Sequence, residues 1–97
     1  MKLEFHPSTA FDVNQAVSYY ERQRPGLGSD LRGELDAALV RIVENPLSFP
    51  VFETLIRRCI VHRFPYSVLF RVQSDDTVRV LVVRHHKRRP QFGLGRR

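Results

Sequence analysis

Three runs of alternating apolar residues follow one another closely between Ile56 and Val83 and commit the second half of the chain to a sheet. Ile56–His62 is the first. In Tyr66–Val72, Val68, Phe70 and Val72 share one face and Leu69 takes the other. In Val78–Val83, Val78, Val80 and Val82 share a face, with Leu81 and Val83 opposite. A period of two is the spacing of a β-strand. Ser74-Asp75-Asp76-Thr77 supplies the turn between the last two runs, because Ser and Asp side chains hydrogen-bond to nearby backbone and favour reversal. Apolar residues on both faces of the last run predict a central place in the sheet.

The first half reads differently. Lys2–His6 alternates briefly, with Leu3 and Phe5 on one face, and predicts a short strand. Pro7 suits the first turn of a helix, Ser8 or Thr9 can cap it, and Asp12 adds negative charge near its positive end. Val13, Ala16, Val17 and Tyr20 then recur at helical spacing. Arg24-Pro25-Gly26-Leu27-Gly28 ends that helix, and Ser29 or Asp30 is the expected cap of a second. Leu31, Leu35, Ala38, Leu39, Ile42 and Val43 form the second apolar stripe, and Asn45-Pro46 stops it, since the residue before proline is driven out of the helical region. Leu47–Glu53 is expected to be a loop packed on the core, and residues 93–97 a frayed tail. The predicted class is α+β: one domain over 1–97, in the order β-α-α-β-β-β, with a helical hairpin packed on a small, mostly antiparallel sheet.

Charge is distributed unevenly. Residues 57–97 hold eleven Lys and Arg against two acids, whereas residues 1–56 hold five against eight. The net +6 and a pI near 10.4 therefore come from one cationic half, which points to an acidic partner. Cys59 stands alone, so no internal disulfide forms, and no apolar run approaches the roughly 20 residues of a membrane span. With no signal-peptide pattern at Met1–His6, a cytoplasmic location is expected, without membrane contact. The histidines and Cys59 show no metal-ligand spacing, and neither metal nor cofactor is expected.

Several short motifs, in order, carry a resemblance. They are His6-Pro7, Tyr19-Tyr20-Glu21, Pro25-Gly26-Leu27-Gly28, Glu34-Leu35 and Asn45-Pro46, followed by Arg57-Arg58, Arg63-Phe64-Pro65-Tyr66, Val80-Leu81-Val82-Val83 and His85-His86-Lys87-Arg88-Arg89-Pro90. Together they cover about residues 3–92, and the chain resembles the RelE/ParE superfamily of toxins from bacterial type II toxin–antitoxin systems, closer to ParE. The resemblance implies a cytoplasmic toxin neutralised by a cognate antitoxin. ParE-like members poison DNA gyrase by binding it; RelE-like members cleave mRNA on the ribosome without a metal.

Metal-free RNA cleavage needs cations for the phosphate, a base for the 2′-hydroxyl and an acid for the leaving oxygen. Aligned with RelE-like enzymes, the middle-strand arginine falls at Ser67, the arginine after the last strand near His86 and the C-terminal tyrosine at Phe92. Only Arg58 stands near one of the lysines. A nuclease here would have to use Arg58, Arg63, His86 and Arg88. The ParE-like alternative needs only a binding surface. Arg84, His85, Lys87, Arg88, Arg89 and Phe92 give charge with one aromatic anchor, a usual interface mixture. Tyr19, Arg57, Arg58 and Arg63 are the residues expected to meet an acidic segment of the antitoxin. A binding module without toxicity is the third reading. Of the remaining polar residues, Cys59 is expected as a buried strand residue, His6 as a local hydrogen-bonder, and Arg71 and Arg79 as a solvated cross-strand pair.

Overall fold

A computed structural model describes all of residues 1–97. The chain runs β1 (Lys2–Phe5), α1 (Thr9–Gln23), α2 (Leu27–Glu44), a 3-10 turn (Pro46–Ser48), β2 (Val51–Glu53), β3 (Ile56–Ile60), β4 (Tyr66–Ser74) and β5 (Thr77–His85). The sheet order is β1-β5-β4-β3-β2, with β1 parallel to β5 and every other pair antiparallel. The α+β class is as the residue pattern indicates, with one strand more. Val51–Glu53, expected as loop, pairs with β3 through Val51–Arg57 and Glu53–Ile56. A three-residue edge strand is too short for its alternation to be visible in a sequence that places prolines at 46 and 50.

Both helices lie on one face of the sheet. Ala16, Leu31, Leu35, Ala38 and Ile42 meet Cys59, Val68, Phe70, Val78, Val80 and Val83 in one buried cluster. Phe49, from the connection after α2, packs edge-on against Phe70 with ring centroids 5.8 Å apart, a favoured arrangement for aromatic pairs.

The helix–helix turn departs from expectation in its chemistry. The second helix begins at Leu27, before Ser29 and Asp30, and neither Ser8 nor those residues cap with a side chain. Gly26 takes φ +91°, a left-handed conformation that glycine adopts without steric penalty. The Glu21 carboxylate at the end of α1 accepts hydrogen bonds from the N–H groups of Gly26 (2.9 Å) and Gly28 (3.0 Å). A negative group at a helix N-terminus satisfies unpaired donors and complements the dipole. Gly28 also lets the helices touch, because a Cβ there would sit 2.6 Å from the Val17 carbonyl oxygen.

The other face of the sheet is covered by the C-terminus. The β4–β5 register slips between Leu69 and Phe70, leaving Leu81 as an extra residue in β5. Such a bulge turns both its residues to one side. Val82, expected to share a face with Val78 and Val80, thus joins Leu69 and Leu81 on the face away from the helices, all three essentially inaccessible, while Val83 takes its place on the helix side. Gly93, at φ +82°, rests directly on Val82, where a Cβ would come within 2.7 Å. Arg96 donates to the Leu81 carbonyl at 3.0 Å, and Leu94 and Gly95 line a shallow pocket with Leu81. Residues 93–97, expected to fray, are therefore a third layer. That layer is why β5 is apolar on both faces.

Candidate functional site

At the carboxyl end of β5, α1 and the C-terminal segment enclose a cleft of about 540 Å³. Alternation puts Tyr66 and His85, registered partners on β4 and β5, on the helix side. Their rings meet edge-on at 5.2 Å, and Tyr66 continues into Tyr20 at 6.1 Å and Tyr20 into Phe64 at 5.0 Å. Of this aromatic row, Tyr66 and His85 line the cleft, and Tyr20 and Phe64 continue it away from the opening. Helical spacing brings Phe11, Gln15, Ser18, Tyr19 and Arg22 to one wall, with Phe11 and Tyr19 more than half and half exposed respectively. Arg88 and Phe92 form the other wall, the guanidinium lying 4.4 Å above the ring centroid.

His85 at the cleft is an uncharged hydrogen-bonding group near neutral pH. Burial, then the neighbouring His86, Lys87 and Arg88, push its pKa below the ordinary histidine value. Its Nδ1 accepts the Lys87 N–H at 2.9 Å, so in the neutral ring Nε2 carries the proton. Because the folded ring holds a proton less tightly than the unfolded one, stability is complete above about pH 6.5 and falls as the pH drops from there through the lowered folded value. An NMR titration is expected to place the His85 midpoint below about 6.5 and to move it upward in Arg88→Glu, which removes a repelling cation. An unchanged midpoint in that variant would show that Arg88 does not sense the ring. Burial, ahead of its other influences, raises the Tyr66 pKa, so its phenol stays neutral as well.

The expected target-binding residues do not all reach the surface. Lys87, Arg88 and Arg89 are exposed and His85 is half-buried. Arg84, expected among them, is only 8% exposed. It points to the outer face, where its Nη1 donates to the carbonyls of Arg89 (3.2 Å), Pro90 (2.7 Å) and Phe92 (3.0 Å) and its guanidinium lies over Phe52. Its role is internal, and the alternation that buries Ser67 and Leu69 on that face explains why. Four ion pairs form in the molecule, and none involves residues 84–89.

The residues expected to meet the antitoxin also separate. Tyr19 lies in the cleft with the target set. The Arg57 guanidinium is held at home, donating to the Phe49 carbonyl at 2.7 Å and to Leu47 at 3.4 Å. Arg58 lies over Phe52, and Arg63, in a left-handed conformation after β3, faces Asp30 and Glu34 of α2. The nuclease set fares no better. Arg58 is on the outer face, where His86 Nε2 lies 2.9 Å from the Ser67 hydroxyl. Arg63 is engaged by α2 and Arg88 by Phe92. The adjacent histidines point to opposite faces, and the four residues do not converge. No group of three or more His, Cys, Asp or Glu side chains gathers at one point.

One pair had no signal in the sequence. Strand β1 covers β5 only as far as Val80, where His6 N–H donates to the Val80 carbonyl. Beyond it the bulge turns the Val83 N–H and the Leu81 carbonyl to the open edge. Asp12 of α1 accepts the Val83 N–H at 3.2 Å, and Arg96 donates to Leu81 at 3.0 Å. The two side chains also join each other, at 2.6 and 3.2 Å. An ion pair thus stands where the next pairing of a ladder would be.

The fold is thus a helical hairpin on a five-stranded sheet whose other face the C-terminal segment covers, with a basic, aromatic-lined cleft between that segment and α1. The family model described as the ParE toxin of the type II toxin–antitoxin system parDE matches residues 3–90, and the chain belongs to that family. A solved structure, the chromosomal ParDE TA system from P. aeruginosa, has the same fold. It superposes with a TM-score of 0.73 at 18% identity, over 88% of this chain and 95% of that one. No curated protein matches the sequence at a significant level. No helix is long and apolar enough to cross a membrane.

Proposed function

We propose that the protein acts in the cytoplasm by binding DNA gyrase through the cleft and the cationic segment beside it, and that a cognate antitoxin neutralises it. Tyr19, His85, Lys87, Arg88, Arg89 and Phe92 make the target contacts; Arg84 supports them from behind. Arg58 and Arg63 remain the residues assigned to an acidic stretch of the antitoxin. The observation that carries the reading is Arg88 laid over Phe92 at the mouth of an aromatic cleft with no carboxylate paired to it. Arginine and aromatic side chains dominate the energetics of protein interfaces, and an unpaired cation gains most from an acidic partner.

The purified protein is expected to inhibit gyrase supercoiling, while primer extension on translated mRNA shows no cuts within codons. Discrete codon cuts with undisturbed supercoiling would replace this reading with the ribosomal nuclease. Growth unaffected by overexpression would favour a non-toxic binding module.

A further inference from the structure

We propose that Asp12 and Arg96 form a latch that positions Arg88 and Phe92 for target binding. The inference rests on the target-binding reading above.

Residues 86–97 contain no strand or helix; beyond His86, whose N–H donates to the Pro65 carbonyl, their backbone hydrogen bonds are local turns that do not tie the segment to the sheet. Two arginines do that work from opposite ends. Arg84 gathers the carbonyls of Arg89, Pro90 and Phe92. Arg96 closes the far end on Asp12 and the Leu81 carbonyl. The closing pair is well shielded, with the Asp12 side chain 5% and that of Arg96 17% exposed. Charged hydrogen bonds in a shielded setting are stronger and more geometrically demanding than surface pairs.

The latch is joined to the cleft through one ring. The Arg96 guanidinium lies 5.5 Å from the Phe92 centroid and Arg88 lies 4.4 Å from it, so both cations bear on the same aromatic group. Asp12 belongs to α1, the helix that carries Phe11 and Tyr19 on the opposite wall. The pair therefore fixes one wall of the cleft to the other. Gly93 fits closely on Val82 only while the segment lies flat. Releasing Arg96 frees Phe92, and Arg88 loses its fixed direction. A side chain that must be ordered on binding binds less well than one already held.

The test compares Arg96→Gln and Arg96→Lys with the wild-type chain. Arg96→Gln cannot form the ion pair, and amides of residues 91–95 are expected to exchange at least about tenfold faster, as local opening becomes easier. Gyrase inhibition should weaken by on the order of tenfold, because the freed Arg88 and Phe92 side chains must then be ordered on binding. Arg96→Lys, which restores a charge opposite Asp12, should recover most of both. A merely structural role would lower the melting temperature in Arg96→Gln without a loss of inhibition that Arg96→Lys rescues.

The inference is overturned if Arg96→Gln loosens residues 91–95 yet inhibits as strongly as wild type, or if exchange there does not change. If instead the wild-type protein does not inhibit gyrase at all, the target reading fails. The exchange measurement then still decides whether the pair holds the segment.

Discussion

Reversing both charges in Arg88→Glu/Arg89→Glu is expected to weaken inhibition of gyrase supercoiling by at least about a hundredfold. Interface arginines that matter contribute about 2 kcal/mol or more each, and 1.4 kcal/mol is a tenfold change in affinity. Reversal does more than truncation, because it sets repulsion against an acidic partner. Both side chains are exposed and neither has a carboxylate partner, so the fold has little to lose. The one internal contact removed is Arg88 over Phe92, worth about 0.5–1 kcal/mol at an exposed site. A far-UV spectrum and melting curve close to wild type should accompany the loss. Inhibition by the wild-type protein should also fall steeply with salt, as exposed charges are screened. A double variant that folds and still inhibits fully would remove these residues from the target surface.

Asp12→Ala is expected to destabilise the protein by about 2–3 kcal/mol. Breaking a fully buried pair costs about 3–5 kcal/mol, because the surviving charge is stranded. Arg96 keeps 17% exposure and lies in a segment without strand or helix, so it can swing out to water, which lowers the cost. What remains is the Val83 N–H, left at the sheet edge without its acceptor, at about 1–3 kcal/mol, with the packing of the released tail over Leu81 and Val82. In a domain of this size 1 kcal/mol moves the melting temperature by about 4–8 °C, so a fall of roughly 10–20 °C is expected. Asp12→Asn keeps an acceptor for Val83 and should fall by clearly less. Equal losses in the two variants would mean that the charge, and not the hydrogen bond to β5, is what the fold requires.

The parts of this fold that could be read from the sequence are those with a period. Val68–Val72 and Val78–Val83 announced a hairpin, and Leu31 to Ile42 a helix, because burying one face imposes a spacing on the residues themselves. Val51–Glu53 is too short to have a period. The cap of α2 lay outside local reading, since the residue that makes it, Glu21, belongs to the preceding helix. Arg84 and Arg88 look alike in a charge run. Only the strand's alternation, carried one residue past the apolar stretch, sends the first to the inner carbonyls and leaves the second free. Asp12 and Arg96 lie at opposite ends of the chain, and no spacing rule connects them. The pair exists because a bulge at Leu81 turns two backbone groups to an uncovered edge, and neither feature leaves a mark on its own residues. The apolar outer face of β5 was a usable hint: Leu81 demanded a cover, and the glycine-containing tail was the one unassigned segment available.

Amide exchange of the protein with and without bound gyrase tests most directly where the target sits. Protection is expected over residues 85–92 and along residues 14–22 of α1, the two walls of the cleft, with α2 and the loop at Arg63 unchanged. Protection confined to α2 and β3, with residues 85–92 exchanging as in the free protein, would contradict the placement of the target at the C-terminal cleft.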